Sequence, residues 1–491
     1  MQNRILSKTG VLCIDQSVLL DRYGLWVRFK CDEQAIASGY KVVHFTDDMR
    51  LRFYYETECL VHPTDKQIIV IDNGSFDVPY DIEKHFPIID LNYHLIFPTL
   101  NEDALKELPG LDYDHLACVI DFTFLKCLDK QQTIRFCTEG LRTGTWAEIY
   151  AKELLERAVL QASMASSHRD WTAVASLFGK AAMFYHTGVE LNEFATMRAD
   201  IEIAFAKWIN DKYSTLSGTV DSKRPVLLSK VNDFIRKGNS KIALVVMDGM
   251  SFENFFTMQR LMVREKYYYD IQSSFSFFPT VTSVARQSIF SGKLPQEHVK
   301  PFSLENEEKQ WFAYWKEHGY RANEIAFFKG ESLSIAPQVK IVGIVVNICD
   351  DLMHGELQGL RGLQQGVENW MRNKHLIQLI SALYDNGFSI FLTSDHGNTS
   401  AVAEGRFQKP GLLAEPASRR AVIYQSYTDA IELDKFSTFE YDGSYLPKDV
   451  KAYLFDTDVC YGERGKEYIT HGGMTLEETV VPFIKIEVCH G

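Results

Sequence analysis

The clearest pattern in the chain is a set of nearly continuous apolar runs in its second half. Such runs, rich in Val and Ile, are typical of parallel β-strands that helices cover on both faces. Each run ends in an aspartate, in the segments KIALVVMD (241–248), VGIVVNICD (342–350) and GFSIFLTSD (387–395). Because ligands of open α/β sheets bind beyond the carboxyl ends of the strands, we expect Asp248, Asp350 and Asp395 at one common edge.

The remaining pattern divides the chain into three parts. Residues 1–140 alternate short apolar runs such as KVVHF and QIIVID with acidic and Pro-containing turns, which predicts a small α/β region of unknown role. Residues 141–222 lose Pro almost entirely and are rich in Ala, Leu, Glu and Lys at helical spacing, which predicts a helical middle segment. Residues 223–491 are the predicted domain with the buried strands, and a linker rich in Ser, Gly and Thr at 215–226 leads into it.

Composition and charge narrow the class of protein. Of 491 residues, 46% are hydrophobic and 24% charged, and no apolar run reaches the roughly 18 residues of a membrane span, so we expect a soluble protein without a membrane partner. The N-terminal segment lacks a signal-peptide pattern, which predicts a cytoplasmic location. Nine scattered cysteines without a C-x-x-C pair indicate neither a disulfide framework nor a thiolate zinc site. The net charge of −13 argues against broad nucleic-acid binding and leaves room only for a local basic groove.

Histidines accompany the aspartates at the strand ends. Asp395 and His396 are adjacent in LTSDHGNT, and Asp350 and His354 stand four residues apart in NICDDLMHGE, so one helical turn brings these two side chains to the same side. The neighbouring Asp351 is an alternative to Asp350.

A further histidine, His471, lies in the glycine-rich segment YITHGGMTLEETVVPF. Taken singly, each of these residues has a structural explanation: Asp248 as a helix cap, His471 as a hydrogen-bonded histidine. Together, three carboxylates and three imidazoles are enough to bind two divalent metal ions with an open position on each.

The segment FSFFPTVTSVARQSIFSG (275–292) places hydroxyls where a strand passes into a helix. We expect a helix beginning near Ser283, with the hydroxyl of Thr282 at its N-terminus and Arg286 one turn further, its guanidinium directed at phosphate oxygens. A bare threonine is a poor nucleophile, and a bound metal would lower the pKa of its hydroxyl. The structural alternative is an N-cap threonine followed by a surface arginine.

Five segments, VVMDGMS, FPTVTSVARQSIFSG, NICDDLMHG, LTSDHGN and THGGMTLEETVVPF, occur in this order over residues 238–488. In this the chain resembles the alkaline phosphatase superfamily and, within it, the PglZ domain family of bacterial BREX phage-defence systems. The resemblance implies an alkaline-phosphatase-like α/β fold, a mostly parallel sheet between helices, in the C-terminal domain. The phrase DVPYDIEKHFPIIDLNYHLIFPTL is similar to the leading region of such proteins.

The resemblance also implies roles for single residues. It assigns two metal ions, zinc or alternatively manganese, the first to Asp248, Thr282, Asp395 and His396 and the second to Asp350, His354 and His471. PTVTSVAR is similar to the segment around the threonine nucleophile of nucleotide pyrophosphatase/phosphodiesterases. Where those enzymes have a phosphate-binding Asn, this chain has Ala285, so Arg286 is expected to supply part of the oxyanion stabilisation.

These observations predict a two-metal phosphohydrolase, a phosphodiesterase with Thr282 as nucleophile, in bacterial phage defence. Its implied substrate is a phosphodiester or a nucleotide, and its implied partners are other BREX proteins, including a DNA methyltransferase. Two alternatives stay open: a non-catalytic subunit that binds metal or nucleotide, and a metal-dependent nuclease, against which the acidic composition weighs. Since every candidate ligand follows the linker, the C-terminal part is expected to work alone.

Overall fold

The computed structural model describes residues 10–14, 36–37, 39–62, 66–71, 76–86, 88–90, 92–123, 126–356, 358–406, 418–425 and 433–488. The chain forms two compact units. One comprises Met1–Tyr150 and Val263–Glu265, and the other comprises Ala151–Met262 and Lys266–Gly491. The predicted boundaries at residues 140 and 222 stay a prediction.

The first unit contains a four-stranded parallel sheet in the order β2-β3-β1-β4, with β1 Gly10–Ile14, β2 Lys41–Phe45, β3 Gln67–Ile71 and β4 Ile88–Asp90. All five residues of β3 are buried, as the apolar run QIIVI predicts. The helices of this unit are Asp48–Tyr54, continued by the π-helical turn Tyr55–Cys59, then Tyr80–Glu83, Tyr93–Ile96, Glu102–Lys106, Tyr113–Thr123, Lys130–Thr138 and the 3₁₀ turn Gly140–Arg142.

The second unit is built on a six-stranded sheet of β5 Ile242–Met247, β6 Tyr267–Phe275, β7 Ile325–Lys329, β8 Ile341–Val346, β9 Ser389–Thr393 and β16 Val480–Val488. The strand order is β6-β16-β9-β5-β8-β7. Strands β9, β5, β8 and β7 are parallel, and β16 runs antiparallel between β6 and β9. The three apolar runs form the adjacent central strands β9, β5 and β8. All residues of β5 and β8 are buried. The predicted fold class is therefore confirmed.

Helices surround this sheet. Gly144–Met164, His168–His186 and Phe194–Lys212 make up the predicted helical middle segment. The others are Val231–Ile235, Phe252–Gln259, Thr282–Ser291, Glu307–Glu317, Ile348–Gly355, Gly359–Arg372, His375–Asp385 and Leu476–Thr479, with 3₁₀ turns at Tyr213–Gly218, Leu228–Lys230, Pro295–Glu297, Ala322–Glu324 and Leu433–Lys435.

Two small sheets complete the second unit. One has the order β14-β10-β15, with β10 Thr399–Ala403, β14 Val459–Cys460 and β15 Glu467–Thr470. The other has the order β11-β13-β12, with β11 Ala421–Gln425, β12 Thr438–Glu440 and β13 Val450–Phe455. Strand β15 ends directly before His471, so the first of these sheets positions the loop that contains this histidine.

The helical middle segment packs directly on the large sheet and its connections. A Cβ atom at Gly179 would lie 2.5 Å from that of Phe252, so only glycine permits this helix contact. Thr172 Oγ1 lies 2.6 Å from Ser273 Oγ on β6. Arg198 Nε donates to Glu477 over 2.7 Å, beside the His471 loop. These contacts count against the expectation that residues after the linker work alone.

In the part of the chain that the structure describes, we find no helix with both the length and the apolar character that a bilayer crossing requires.

Candidate functional site

The three strand-end aspartates meet at the carboxyl edge of the large sheet. Asp248 follows β5, Asp350 lies in the first turn of the helix after β8, and Asp395 follows β9. The chain turns away from β5 at Gly249, whose φ of 72° is in the region that favours glycine. The amide of Gly249 donates to Asp395 Oδ1 over 3.1 Å, which ties two strand ends together.

Asp248, Asp395, His396 and Thr282 form what we call the inner group. The ligand atoms of the first three lie within 4.8 Å of one another, and all four residues are buried. Asp248 Oδ1 and Asp395 Oδ2 are buried without a hydrogen-bond partner. Burial and the charge of Asp395 raise the pKa of Asp248 well above its usual value, and burial raises the pKa of Asp395 to about 6. Such a pair of carboxylates is costly unless a cation lies between them.

His396 presents one ring nitrogen to this group. Its Nδ1 lies 2.9 Å from the carbonyl oxygen of Gly397, a hydrogen bond in which Nδ1 is the donor, so Nε2 has the free electron pair. The hydroxyl of Thr282 donates to this Nε2 over 3.0 Å, and Asp248 Oδ1 is 3.7 Å away from it. A metal-ligating histidine needs this tautomer.

Thr282 is not a helix cap. The helix begins at Thr282 itself, preceded by Val281, and no side chain caps this end. The helix expected near Ser283 thus begins one residue earlier, and Thr282 is its first residue. Since the Thr282 hydroxyl bonds His396 instead of a backbone amide, the N-cap explanation is wrong.

Asp350, His354 and His471 form what we call the outer group. Ligand atoms of Asp350 and His471 lie within 4.8 Å of one another and of His396. His471 Nδ1 donates to the carbonyl oxygen of Thr280 over 2.8 Å, and its Nε2 is buried without a partner. Burial and the nearby His396 lower the pKa of His471 to about 3, so its imidazole is neutral near pH 7 and able to bind a metal.

His354 lies at the rim of the outer group. Its Nε2 is 3.1 Å from Asp350 Oδ1, and its side chain is 34% exposed. The hydrogen bond with Asp350 raises the pKa of His354. Burial alone would raise the pKa of Asp350, but His354 and the other imidazoles outweigh it, and the pKa of Asp350 is lowered. Asp350, and not the exposed Asp351, belongs to the cluster of ligand atoms.

Arg286 lies between two carboxylates. Its Nη1 donates to Asp248 Oδ2 and its Nε to Glu307 Oε1, each over 2.5 Å. Burial would lower the pKa of Arg286, but the surrounding carboxylates raise it above the ordinary value. The arginine is buried, so it is not the surface residue of the structural alternative, and it offsets the charge of the acidic cluster. Its predicted contact with phosphate stays a prediction.

Several residues that hold the site were missed in the sequence. Glu307 has no motif around it and is identified only by its contact with Arg286. Ser394 accepts from the amide of Met250 and donates to the carbonyl oxygen of Met247, which fixes the turn after β5. Glu478 accepts from the amides of Gly473 and Thr475, and the T-x-x-E spacing of a capping box was a visible signal for it.

Three buried atoms test whether the site suits a metal. Asp248 Oδ1, Asp395 Oδ2 and His471 Nε2 lack a hydrogen-bond partner. Buried polar atoms are nearly always satisfied, and three unsatisfied ones at one sheet edge indicate a missing partner. Carboxylate oxygens together with neutral imidazole nitrogens suit zinc or manganese. The residues therefore fit divalent ions.

Two solved structures are similar to about half of this chain. In solved structures the chain is similar to phosphonoacetate hydrolase from Sinorhizobium meliloti 1021, with 12% identity, a TM-score of 0.36 and coverage of 50% of this chain and 89% of the other. It is also similar to murine ectonucleotide pyrophosphatase/phosphodiesterase 5, with 12% identity, a TM-score of 0.34 and coverage of 50% and 88%. A search of curated proteins found no match.

The chain also matches a family of protein sequences. Residues 226–486 match the family described as the BREX system PglZ alkaline phosphatase-like domain. This range nearly coincides with residues 238–488, where the five segments lie, and it includes both the inner and the outer group. Because the match spans more than half of the chain, the predicted family is confirmed: this protein belongs to the BREX PglZ alkaline phosphatase-like family.

Proposed function

We propose that the protein is a metal-dependent phosphodiesterase of phage defence that uses Thr282 as its nucleophile. The observation that supports this best is the hydroxyl of Thr282, which is 3.0 Å from His396 Nε2 beside three unpartnered ligand atoms. Membership in an alkaline phosphatase-like family supports a hydrolase of phosphate esters as the class. We choose phosphodiesters as substrates because PTVTSVAR resembles the segment around the threonine nucleophile of nucleotide pyrophosphatase/phosphodiesterases.

In this proposal the inner group binds one divalent ion and the outer group a second. When bound, the ions lower the pKa of the threonine hydroxyl and offset the negative charge of the phosphate. His396 holds the hydroxyl at one end of the site, and Arg286 keeps a positive charge beside Asp248. The start of the helix at Thr282 adds the positive end of the helix dipole at the place where the phosphate must lie.

The chemistry takes two steps. In the first, Thr282 Oγ1 forms a bond to phosphorus while the bond from phosphorus to one ester oxygen breaks, and that oxygen leaves as an alcohol after taking up a proton. In the second, water cleaves the bond between phosphorus and Thr282, which restores the hydroxyl and releases a phosphomonoester. The overall change is the hydrolysis of one ester bond.

We further propose that the protein acts in the cytoplasm with other BREX proteins, including a DNA methyltransferase. The description of its family supports a role in such a system. Co-purification of tagged full-length protein with the other products of its own BREX system tests this, and purification of the protein alone under the same conditions would argue against stable partners.

Substrate screening tests the proposed activity. The full-length protein is assayed with bis-p-nitrophenyl phosphate, p-nitrophenyl phosphate and short oligonucleotides, each with added zinc or manganese. We expect hydrolysis of the diester to exceed that of the monoester and to stop when EDTA removes the ions. Metal binding without turnover of any of these compounds would instead support the non-catalytic subunit, and cleavage of oligonucleotides alone would support the nuclease.

A further inference from the structure

A cavity lies beside the helix that begins with Thr282. It has a volume of about 440 Å³ and lies between the helix Thr282–Ser291, the segment that follows it and the helix Glu307–Glu317. Its lining includes Gln287, Ser291, Lys293, Lys300, Lys309 and Gln310. The volume falls within the roughly 300–1,000 Å³ of small-molecule sites. No residue of the inner or outer group lines it, so this cavity is distinct from the proposed catalytic site.

Positive charge distinguishes this cavity within an acidic chain. Lys293, Lys300 and Lys309 line it, and none of these three forms an ion pair with a described residue. All three lysines are exposed, so their ammonium groups are available to an anionic ligand although the whole chain has a net charge of −13.

The other titratable groups of the lining do not cancel this charge. Glu297 and Glu317 also line the cavity, but Glu297 already accepts a hydrogen bond from the amide of Leu294. Burial and the nearby Lys293 lower the pKa of His298 to about 4, so its ring is neutral near pH 7. The lining thus contains three ammonium groups and two carboxylates, one of which caps a turn, so positive charge is in excess.

Hydrogen bonds fix the glutamine side chains in the wall of the cavity, and one glutamine oxygen there accepts none. Gln287 Nε2 donates to the carbonyl oxygens of Lys300 and Pro301, and Gln310 Nε2 donates to Gln287 Oε1. Gln310 Oε1 is buried without a hydrogen-bond partner. A ligand with a hydroxyl or amino group beside its phosphate would satisfy this oxygen. A nucleotide has both kinds of group and the matching size.

We propose that this cavity binds a phosphorylated ligand of nucleotide size, whose phosphate groups lie against Lys293, Lys300 and Lys309. The inference does not depend on the proposed phosphodiesterase activity. Two sources of such a ligand share this chemistry: a free nucleotide and the distal part of a longer phosphodiester substrate. The helix Thr282–Ser291 spans about 15 Å, so the cavity is within reach of such a substrate.

Equilibrium binding of ATP to the full-length protein tests the site. EDTA is present, so that turnover at the metal site does not consume the probe. We expect Lys309→Ala to weaken ATP binding at least about fivefold through loss of a charged contact, and the triple change of Lys293, Lys300 and Lys309 to Ala to abolish it. Lys316→Ala is the matched control, because Lys316 is on the same helix and outside the lining.

The test compares ATP binding by Lys309→Ala with ATP binding by the control Lys316→Ala. Unchanged binding in Lys316→Ala together with weaker binding in Lys309→Ala supports the site, provided that both variants unfold at the temperature of the unaltered protein. No ATP binding by the unaltered protein, or equal losses in the two variants, would overturn it. These readouts hold even if the protein hydrolyses nothing.

A kinetic comparison separates the two sources of ligand. If the cavity binds the distal part of a substrate, Lys309→Ala should raise KM for oligonucleotides and leave KM for bis-p-nitrophenyl phosphate unchanged, because that small diester cannot reach the cavity. If the ligand is a free nucleotide, the variant should lose ATP binding with both KM values unchanged. Either result supports the cavity as a binding site.

Discussion

The inner and outer groups use similar residues, but the fold holds them very differently. In the inner group, Asp248 and Asp395 end adjacent strands and are buried, and the amide of Gly249 fixes one to the other. In the outer group, Asp350 and His354 are on a helix after β8, with side chains that are 19% and 34% exposed. Buried ligands that neighbouring groups hold by packing and hydrogen bonds keep their geometry better than exposed ones. We therefore expect the inner ion to be bound more tightly.

Removal of an inner ligand should have the largest effect. His396→Ala removes the imidazole that lies within 4.8 Å of ligand atoms from both groups and that accepts the Thr282 hydroxyl. We expect diesterase activity to fall below detection and the inner ion to be lost, as measured by steady-state kinetics and elemental analysis. Retention of two ions and of activity would show that the inner group is not the metal site.

Loss of the ion pair that holds Arg286 beside the inner group should have the second-largest effect. Glu307→Ala leaves Arg286 with one of its two carboxylate partners, and breaking a buried ion pair in this way costs about 3–5 kcal/mol of unfolding free energy. Turnover should fall as well, because Arg286 is no longer fixed beside Asp248. Denaturant unfolding and kinetics measure the two effects. Glu308→Ala, one residue away and exposed, is the control and should change neither.

Removal of an outer ligand should reduce metal binding and activity less than removal of an inner one. His354→Ala removes a half-exposed ligand, so we expect the outer ion to be lost on dialysis while the inner ion stays. Added metal should restore most of the activity. Metal content and activity over a zinc titration measure this, and loss of both ions together would contradict the proposed difference between the groups.

A smaller effect is expected from the residue that orients His471. Thr280 Oγ1 accepts from the amide of Gly472 and donates to the carbonyl oxygen of Gly473. Thr280→Val removes these bonds and should lower affinity for the outer ion by about 10–100-fold, as for other residues that orient metal ligands. Thr280→Ser keeps the hydroxyl and should behave like the unaltered protein. Equal affinities in all three would mean that the loop holds His471 without Thr280.

The sequence predicted the parts of this site that depend on local pattern. The apolar runs ending in Asp predicted the central strands and the common edge at which they end. The spacing of Asp350 and His354 predicted the contact between these two side chains. Local pattern alone left Thr282 open between a helix cap and a residue of the site. Its hydroxyl bonds His396, 114 residues further along the chain, and only the family resemblance had grouped these two residues.

Residues that support the ligands were missed because their partners are far away in the sequence. Gly179 and Arg198 appear as ordinary helix residues, and only the folded chain shows them against Phe252 and Glu477. Glu307 holds Arg286 from a helix that no motif marks. Local patterns thus identify candidate ligands, whereas the residues that position them come from contacts across the fold.

The central claim, that Thr282 is the nucleophile, is tested most directly by hydrolysis of bis-p-nitrophenyl phosphate by Thr282→Ala and Thr282→Ser, with the metal content of each. We predict that Thr282→Ala loses turnover and keeps both ions, because the remaining ligands are unchanged, and that Thr282→Ser keeps part of the activity. Full activity in Thr282→Ala would contradict the account, since no bond between threonine and phosphorus could then be part of the reaction.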